Sequence, residues 1–128
     1  MLLPEMTVRL RVPAVDDPDF VAEYDERTRV LRLIGSADNA TANGLANLFA
    51  DLHDELLGKK AKQITVDMRD LDFMGTGCVR ELVSWFKQLE GIVGRYTIKL
   101  RSNPAIGWQR NTLPALACFD TTLVTVES

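Results

Sequence analysis

The feature that most constrains the fold of this chain is the way its apolar residues switch between two spacings. Segments with helical spacing at residues 39–58, 77–90 and after Asn103-Pro104 alternate with strand-like segments at residues 63–68, 96–101 and 121–126. Strands that alternate with helices favour a largely parallel sheet covered by crossover helices. We therefore predict an α/β fold with about three crossover helices.

Glycine and proline residues mark the expected ends of the helices. Gly58 is expected to end the first helix, and Gly91 with Gly94 to end the second. Asn103 resembles a helix cap before a proline at the first helical position. Pro114 is then expected to kink or divide the third helix, because proline lacks the N–H that an α-helix needs.

The first third of the chain predicts strands. Residues 8–12 alternate apolar and basic side chains until Pro13, which indicates an extra N-terminal strand. Residues 19–34 are predicted to form a β-hairpin that ends at Gly35-Ser-Ala-Asp38. Because a hairpin is antiparallel and the crossover strands are parallel, the predicted sheet is mixed. The length of 128 residues fits one domain, which we divide into an arm of residues 1–18 and a domain of residues 19–128.

Charge and hydropathy exclude several classes of protein. The 15 basic and 18 acidic residues are mixed along the chain, so the sequence has no run of basic residues that could neutralise the phosphates of a nucleic acid. A nucleic-acid partner is therefore not expected. No segment has the apolar length of a membrane span or the pattern of a signal peptide, which predicts a cytoplasmic protein without a membrane partner. Cys78 and Cys118 form no CxxC pair, and we expect two reduced, half-buried thiols.

The junction between the 63–68 strand and the second helix is the first place to look for chemistry. Thr76 lies at that junction between Gly75 and Gly77, which shield its hydroxyl little. The start of a helix carries unpaired N–H groups and the positive end of the helix dipole, so it favours an oxygen or a phosphate. Thr76 is either a simple helix N-cap or a regulated hydroxyl, and the two roles are compatible.

Three segments of this chain resemble the STAS domain, the fold of anti-sigma factor antagonists. They are Gly35-Ser-Ala-Asp38, Ile64-Thr-Val-Asp67 and the run from Phe73 to Val79, and the resemblance covers residues 19–126. In that family the segment before the second helix commonly reads Asp-Ser-Ser-Gly-Leu, and a partner kinase phosphorylates its first serine. The resemblance implies a bacterial signalling phosphoprotein in which Thr76 is the phosphoacceptor.

The chain departs from the family pattern in three places. Gly75 stands where the family has an aspartate, so a nearby carboxylate would have to come from Asp38 or Asp72. Residues 1–18 are an addition, and the family's usual final helix is absent after Val126. We expect the arm to cover or extend the surface of that helix, or to pair between subunits.

Other polar and aromatic residues have plainer interpretations. Asp38 and Asp67 are more often turn or cap residues than functional carboxylates. His53 is the only histidine and is expected at a solvated or boundary position, so neither a metal site nor a Ser/His/Asp arrangement is supported. Trp85 and Trp108 either pack against the core or meet a partner, with packing favoured.

These observations predict a non-enzymatic regulatory protein without a cofactor or metal. Its partner is expected to be a regulatory kinase or a sensor scaffold, bound through the surface around Thr76 and the second helix. Asp38, Asp72, Gly75, Gly77 and Arg80 are expected to surround that site, with Arg80 one turn on as the counter-charge of a phosphate. Two alternatives stay open: a sensor of a nucleotide or apolar ligand in a groove between Asp38, Gly75 and the second helix, or a structural homodimer joined by the arm.

Overall fold

The computed structural model describes the backbone of residues 7–10 and all of residues 19–128. Its strands are β1 (Thr7–Leu10), β2 (Phe20–Asp25), β3 (Val30–Ala37), β4 (Gln63–Asp67), β5 (Leu71–Met74), β6 (Thr97–Arg101) and β7 (Val124–Glu127). Its α-helices are α1 (Ala42–Gly58), α2 (Thr76–Leu89) and α3 (Gly107–Ala117), and a 3₁₀ turn at Asn39–Thr41 precedes α1. The predicted α/β fold is confirmed.

The strands form one mixed, largely parallel sheet in the order β1-β2-β3-β4-β6-β7, with β5 beside β3. The β2–β3 hairpin and the β1–β2 pair are antiparallel, whereas β3–β4, β3–β5, β4–β6 and β6–β7 are parallel. The extra N-terminal strand is thus confirmed at the sheet edge. Its predicted continuation to Val12 and its end at Pro13 lie outside the described residues.

The three α-helices cover one face of the sheet. From β3 onward the order β3-β4-β6-β7 advances in one direction, and right-handed crossovers then place every connecting helix on the same side. The core lies between that side and the helices: Leu31, Leu33, Ile64, Val66, Ile98 and Leu100 are fully buried beneath Leu45, Leu56, Leu82 and Phe86. The opposite face carries no helix in the part of the chain that the structure describes.

The hairpin differs from its prediction at its far end. Gly35 does not close β3, which continues to Ala37, and a register irregularity against β5 follows Gly35. Gly35 has φ +100°, and a Cβ at this position would collide with the backbone oxygen of Asp19. Glycine is therefore required inside this strand by both conformation and space.

Three other boundaries were predicted wrongly. Residues 71–74, for which no strand was predicted, form β5, because pairing with β3 stabilises a segment too short to show a period. Asn103 caps a separate turn by accepting from the Ala105 N–H, so α3 begins only at Gly107. The last strand begins at Val124, because Asp120 first forms a turn with Thr122. Apart from these boundaries, Pro114 lies inside the continuous helix α3, so of the two predicted effects of this proline the division of the helix is excluded.

Candidate functional site

The start of α2 is held against the end of β3. Ser36 and Ala37 pair with Phe73 and Met74 of β5, and the N–H of Gly75 donates to the carbonyl of Ala37 over 2.7 Å. The chain then turns at once into the 14-residue helix α2. Thr76 is consequently presented where a strand of the parallel sheet ends, the edge at which α/β folds commonly bind their ligands.

Asn39 caps α2 from a different segment of the chain. Its Oδ1 accepts the N–H of Gly77 over 2.9 Å. A Cβ on Gly75 would lie 2.5 Å from that Oδ1, and a Cβ on Gly77 would lie 3.2 Å from it. The two glycines therefore make room for the capping amide, and an aspartate at position 75 would collide with it.

Thr76 is exposed and is not the helix cap. Gly75 occupies the N-cap position and Thr76 is the first residue of α2, so the N-cap interpretation of Thr76 is wrong. No described residue forms a hydrogen bond with its hydroxyl. Arg80 is also exposed, one turn further along the helix, and forms no ion pair with the described residues. The hydroxyl is thus free for an external partner.

The two predicted carboxylates behave differently. Asp38 begins the segment that packs on α2, since its backbone oxygen lies 3.1 Å from Sγ of Cys78. Its carboxylate, however, caps the 3₁₀ turn through the N–H of Ala40 at 3.0 Å and the hydroxyl of Thr41 at 3.3 Å. The cap interpretation of Asp38 is confirmed. Asp72 is exposed on β5, with no hydrogen bond or ion pair to the described residues.

Phe73 is a candidate contact residue that the sequence analysis missed. It lies three positions before Thr76, and 48% of its surface is exposed, the most of any described aromatic residue. An exposed aromatic side chain three positions from an exposed hydroxyl is a candidate contact for a protein partner. The signal available in the sequence was an aromatic residue that directly follows Asp72, shortly before the junction at Thr76.

The two cysteines differ, which corrects the expectation of two half-buried thiols. Both are free, but Cys78 is buried beneath the start of α2 and Cys118 is exposed. Burial, together with the charges of Asp38 and Glu81, raises the pKa of Cys78 to about 11. Cys78 therefore serves packing rather than nucleophilic chemistry at neutral pH.

The space expected for a small ligand beside Gly75 is occupied. Asn39 fills the room that the glycines leave, and Cys78 is packed beneath it without exposure. Asn39 therefore lies in the space next to Gly75 where the predicted groove between Asp38, Gly75 and α2 was expected. The ligand-sensor interpretation stays a prediction, and a ligand at that position would have to contact or displace Asn39.

A second polar cluster lies inside the helix layer. Trp85 is buried, stacks on Phe49 with ring centroids 4.6 Å apart, and donates its indole N–H to the Tyr96 hydroxyl. His53 lies 2.8 Å from the same hydroxyl at a half-buried boundary position, as predicted. Trp108 packs against the core and donates to the Leu71 carbonyl at 3.1 Å. Packing is thus confirmed for both tryptophans.

Other kinds of site find little support in residues 7–10 and 19–128. No group of three or more His, Cys, Asp or Glu residues there could hold a metal ion. No helix in this part of the chain has the length and apolarity needed to cross a membrane.

No known family model matches this chain, and no curated protein is significantly similar to it in sequence. Fold and site define an α/β domain in which Thr76, whose exposed hydroxyl bonds to none of the described residues, begins α2 three positions after the exposed Phe73.

Proposed function

We propose that this chain is a non-enzymatic regulatory protein that binds a partner protein through Phe73, Thr76 and the exposed side of α2. The observation that carries the proposal is the free, exposed Thr76 hydroxyl three residues from a 48%-exposed phenylalanine. The resemblance to STAS domains supports binding through the same surface. It implies that the partner is a regulatory kinase or a sensor scaffold. Phosphorylation of Thr76 would be the switch, with the phosphoryl transfer done by the partner.

The first turn of α2 supports a switch that acts on association rather than on folding. The N–H of Gly77 donates to Oδ1 of Asn39. The N–H groups of Cys78 and Val79 both donate to the backbone carbonyl of Gly75. A phosphate on Thr76 would thus gain stabilisation from the helix dipole and from Arg80 rather than from these N–H groups. Its main effect would be charge repulsion and desolvation at the partner's surface.

The proposal is tested by substituting Thr76 and recovering bound proteins from the source cells. We expect Thr76→Asp to weaken partner capture by more than about tenfold, because a fixed charge opposes an interface built for a neutral hydroxyl. Thermal stability should be kept, since an acidic residue in the first turn suits the helix dipole. Thr76→Val tests whether the hydroxyl itself contributes to binding.

Thr28→Asp provides the matched control, because Thr28 is exposed in the β2–β3 turn at the other end of β3. Equal capture by wild type, Thr76→Asp and Thr76→Val would contradict the proposal. Intact-mass measurement of protein from its own cells, before and after phosphatase, tests the modification separately. A phosphate mapped to Thr76 would support the switch. If the protein is unmodified in all growth and stress states, the phosphorylation switch is wrong and Thr76 is at most a contact residue.

A structural dimerisation module is the second candidate function. β1 forms one edge of the sheet and pairs only with β2 among the described strands. An edge strand offers unpaired backbone groups to another chain, which makes the arm of residues 1–18 a candidate joint between subunits. Deleting residues 1–18 should then abolish the dimer while leaving the fold of residues 19–128 intact, as circular dichroism would show.

A further inference from the structure

A second surface lies at the end of the sheet where the parallel strands begin, opposite the start of α2. The turn before β3 and the loops before β4 and β6 meet there, because these strands are parallel neighbours. Lys59 and Glu26 form an ion pair of 3.4 Å between the first two segments. The N–H of Thr97 donates to the carbonyl of Lys62 over 3.0 Å and joins the last two. The three segments therefore form one continuous surface.

This surface is basic in an acidic chain. Residues 25–29, 59–62 and 90–95, which we name the basic end, carry six basic and three acidic side chains, a net charge of +3, whereas the whole chain carries −3. Four of the basic side chains form no ion pair with the described residues: Arg27, Arg29, Lys60 and Lys62. These cations are available to an anion from outside the described chain.

Two of the four cations occupy backbone positions that favour glycine. Arg29 has φ +55° and Lys60 has φ +54°, and no other described residue except glycine has a positive φ. Lys60 is the left-handed residue of a Schellman motif at the end of α1. Its N–H donates to the Leu57 carbonyl, and the N–H of Ala61 donates to the Leu56 carbonyl. Glycine is usual at this position, because a Cβ strains a left-handed backbone.

Arg29 closes the β2–β3 turn in the same conformation, with its N–H donating to the carbonyl of Asp25 over 2.8 Å. Neither the Arg29 nor the Lys60 side chain forms an ion pair or a hydrogen bond with the described residues. Glycine would therefore fit both backbones with less strain. Strained positions of this kind persist where the side chain has a use, and the use left for these two residues is their positive charge.

An apolar side chain stands among these cations. Val93 is 100% exposed, more than any other large apolar residue described. It lies between Gly91 and Gly94, whose φ angles of +79° and +75° turn the chain sharply on either side. Ile92 packs against the core and anchors the loop. Val93 is thus held outward, where a partner can bury it.

We propose that the basic end binds an acidic segment of a partner protein, with an apolar residue of that segment packed on Val93. Charge complementarity carries the proposal, because carboxylates would pair with cations that have no partner in the described chain. Glu26 and Glu90 lie among these cations and oppose a continuous phosphate backbone such as that of a nucleic acid. One valine is too little apolar surface to anchor a protein in a bilayer. The site is independent of Thr76, which lies at the other end of the sheet.

Fluorescence anisotropy with a labelled peptide that repeats Glu-Glu-Leu tests the proposal on the full chain. We expect binding at about 0.05 M salt that weakens by about tenfold at 0.5 M, because salt screens exposed charges. Arg29→Gly and Lys60→Gly should each weaken binding by about two- to fivefold. Each should also raise the Tm by about 2–4 °C, since glycine relieves the left-handed backbone. A basic residue kept for a structural contact would instead lower the Tm when it is removed.

A second peptide that repeats Glu-Glu-Ser tests the apolar contact. Wild type should prefer the leucine peptide, and Val93→Ser should bind both peptides alike, because the partner for leucine is gone. Arg110→Gln is the matched control, since Arg110 is an exposed cation near the start of α3, at the opposite end of the sheet, and binding should be unchanged.

Three results would overturn the proposal. The first is equal binding of the leucine peptide by wild type and by the double variant Arg29→Gly/Lys60→Gly. The second is a wild type that binds neither peptide at low salt, or binds both equally. The third is tighter binding of a single-stranded DNA or of vesicles containing phosphatidylserine than of the leucine peptide, which would assign the basic end to a nucleic acid or a membrane surface.

Discussion

The indole N–H of Trp85 donates to the hydroxyl oxygen of Tyr96 over 2.6 Å and so joins α2 to the segment that enters β6. Because an indole only donates, the hydroxyl accepts from it and can give its own proton to Nδ1 of His53, 2.8 Å away. In that arrangement Nδ1 of His53 is the acceptor. Burial raises the pKa of Tyr96, although the Trp85 hydrogen bond opposes that rise, so the hydroxyl stays protonated at neutral pH.

Replacing Tyr96 by phenylalanine should destabilise the protein through this network. The change leaves the buried indole N–H of Trp85 and Nδ1 of His53 without their partner. Leaving such buried groups unsatisfied lowers the free energy of unfolding by about 1–3 kcal/mol. Urea unfolding measures the loss. Tyr24→Phe is the control, since Tyr24 is also buried but its hydroxyl bonds to no described residue; equal losses in the two variants would refute the role of the network.

An aspartate at position 75, where STAS domains commonly carry one, should destabilise this protein. Its Cβ would come within 2.5 Å of Oδ1 of Asn39, and overpacking of this kind costs about 1–3 kcal/mol. Asn39→Ala alone should cost about 1 kcal/mol through loss of the cap. Combining both changes should recover part of the sum, because the collision is gone. The control Asn43→Ala removes an exposed amide from α1, and purely additive losses in the double variant would contradict this account.

The stability of the protein should fall in acid because of Asp67. Burial raises the pKa of this carboxyl, but the hydrogen bonds from Arg69 and the charges of Arg69 and Arg101 outweigh burial and hold the pKa below its ordinary 3.8. A depressed pKa contributes stability that is present above the unfolded value and is lost as the pH falls through the folded value. We expect stability to decline below about pH 4.

Asp67→Asn should flatten that acid decline and lower stability at pH 7 by about 1–3 kcal/mol. Denaturant unfolding from about pH 2.5 to 7, a range that spans the ordinary carboxyl pKa, compares the variant with wild type. Asp70→Asn serves as the control, because Asp70 pairs with Arg32 while its side chain is 62% exposed. An unchanged acid decline in Asp67→Asn would show that other carboxyls are responsible.

Thiol reagents should distinguish the two cysteines. Exposed Cys118 should react at once, whereas buried Cys78, whose pKa is raised to about 11, should react only when the protein unfolds. Titration with a chromogenic disulfide at about pH 8, near the ordinary thiol pKa, should therefore show one fast thiol in the native state and two in denaturant. Cys118→Ser should remove the fast phase, and a fast phase that persists would mean that the start of α2 opens readily.

The predicted elements succeeded where the period of the apolar residues is long enough to read. Helix α1 repeats its apolar residues at helical spacing over its whole length. Strands β4 and β6 carry an apolar residue at every second position. β5 has only four residues and exists because β3 lies beside it. The start of α3 was misplaced because Asn103 caps a turn rather than the helix. Its own N–H donates to the side-chain oxygen of Gln109 over 2.7 Å.

The candidate site was predicted in part. Thr76 was found at a helix start because strand, glycine and helix follow one another directly in the chain. Asn39 was missed, since it caps a helix 38 positions away and nothing in its own neighbourhood indicates that contact. The row of charged residues on β2, β3, β4, β6 and β7 was missed for the same reason, because its members come from five separate strands.

By itself the sequence determined the α/β class, the order of the strands and helices other than β5, and the place of Thr76, because each depends on local period and on adjacent residues. Only the tertiary structure decided that Asn39 closes the space above Gly75 and that Glu23, Arg32, Asp67, Arg101 and Glu127 form one row. Those relationships depend on strand register and on the side of the sheet that the crossovers occupy. Both are set by packing between distant segments, which local sequence does not encode.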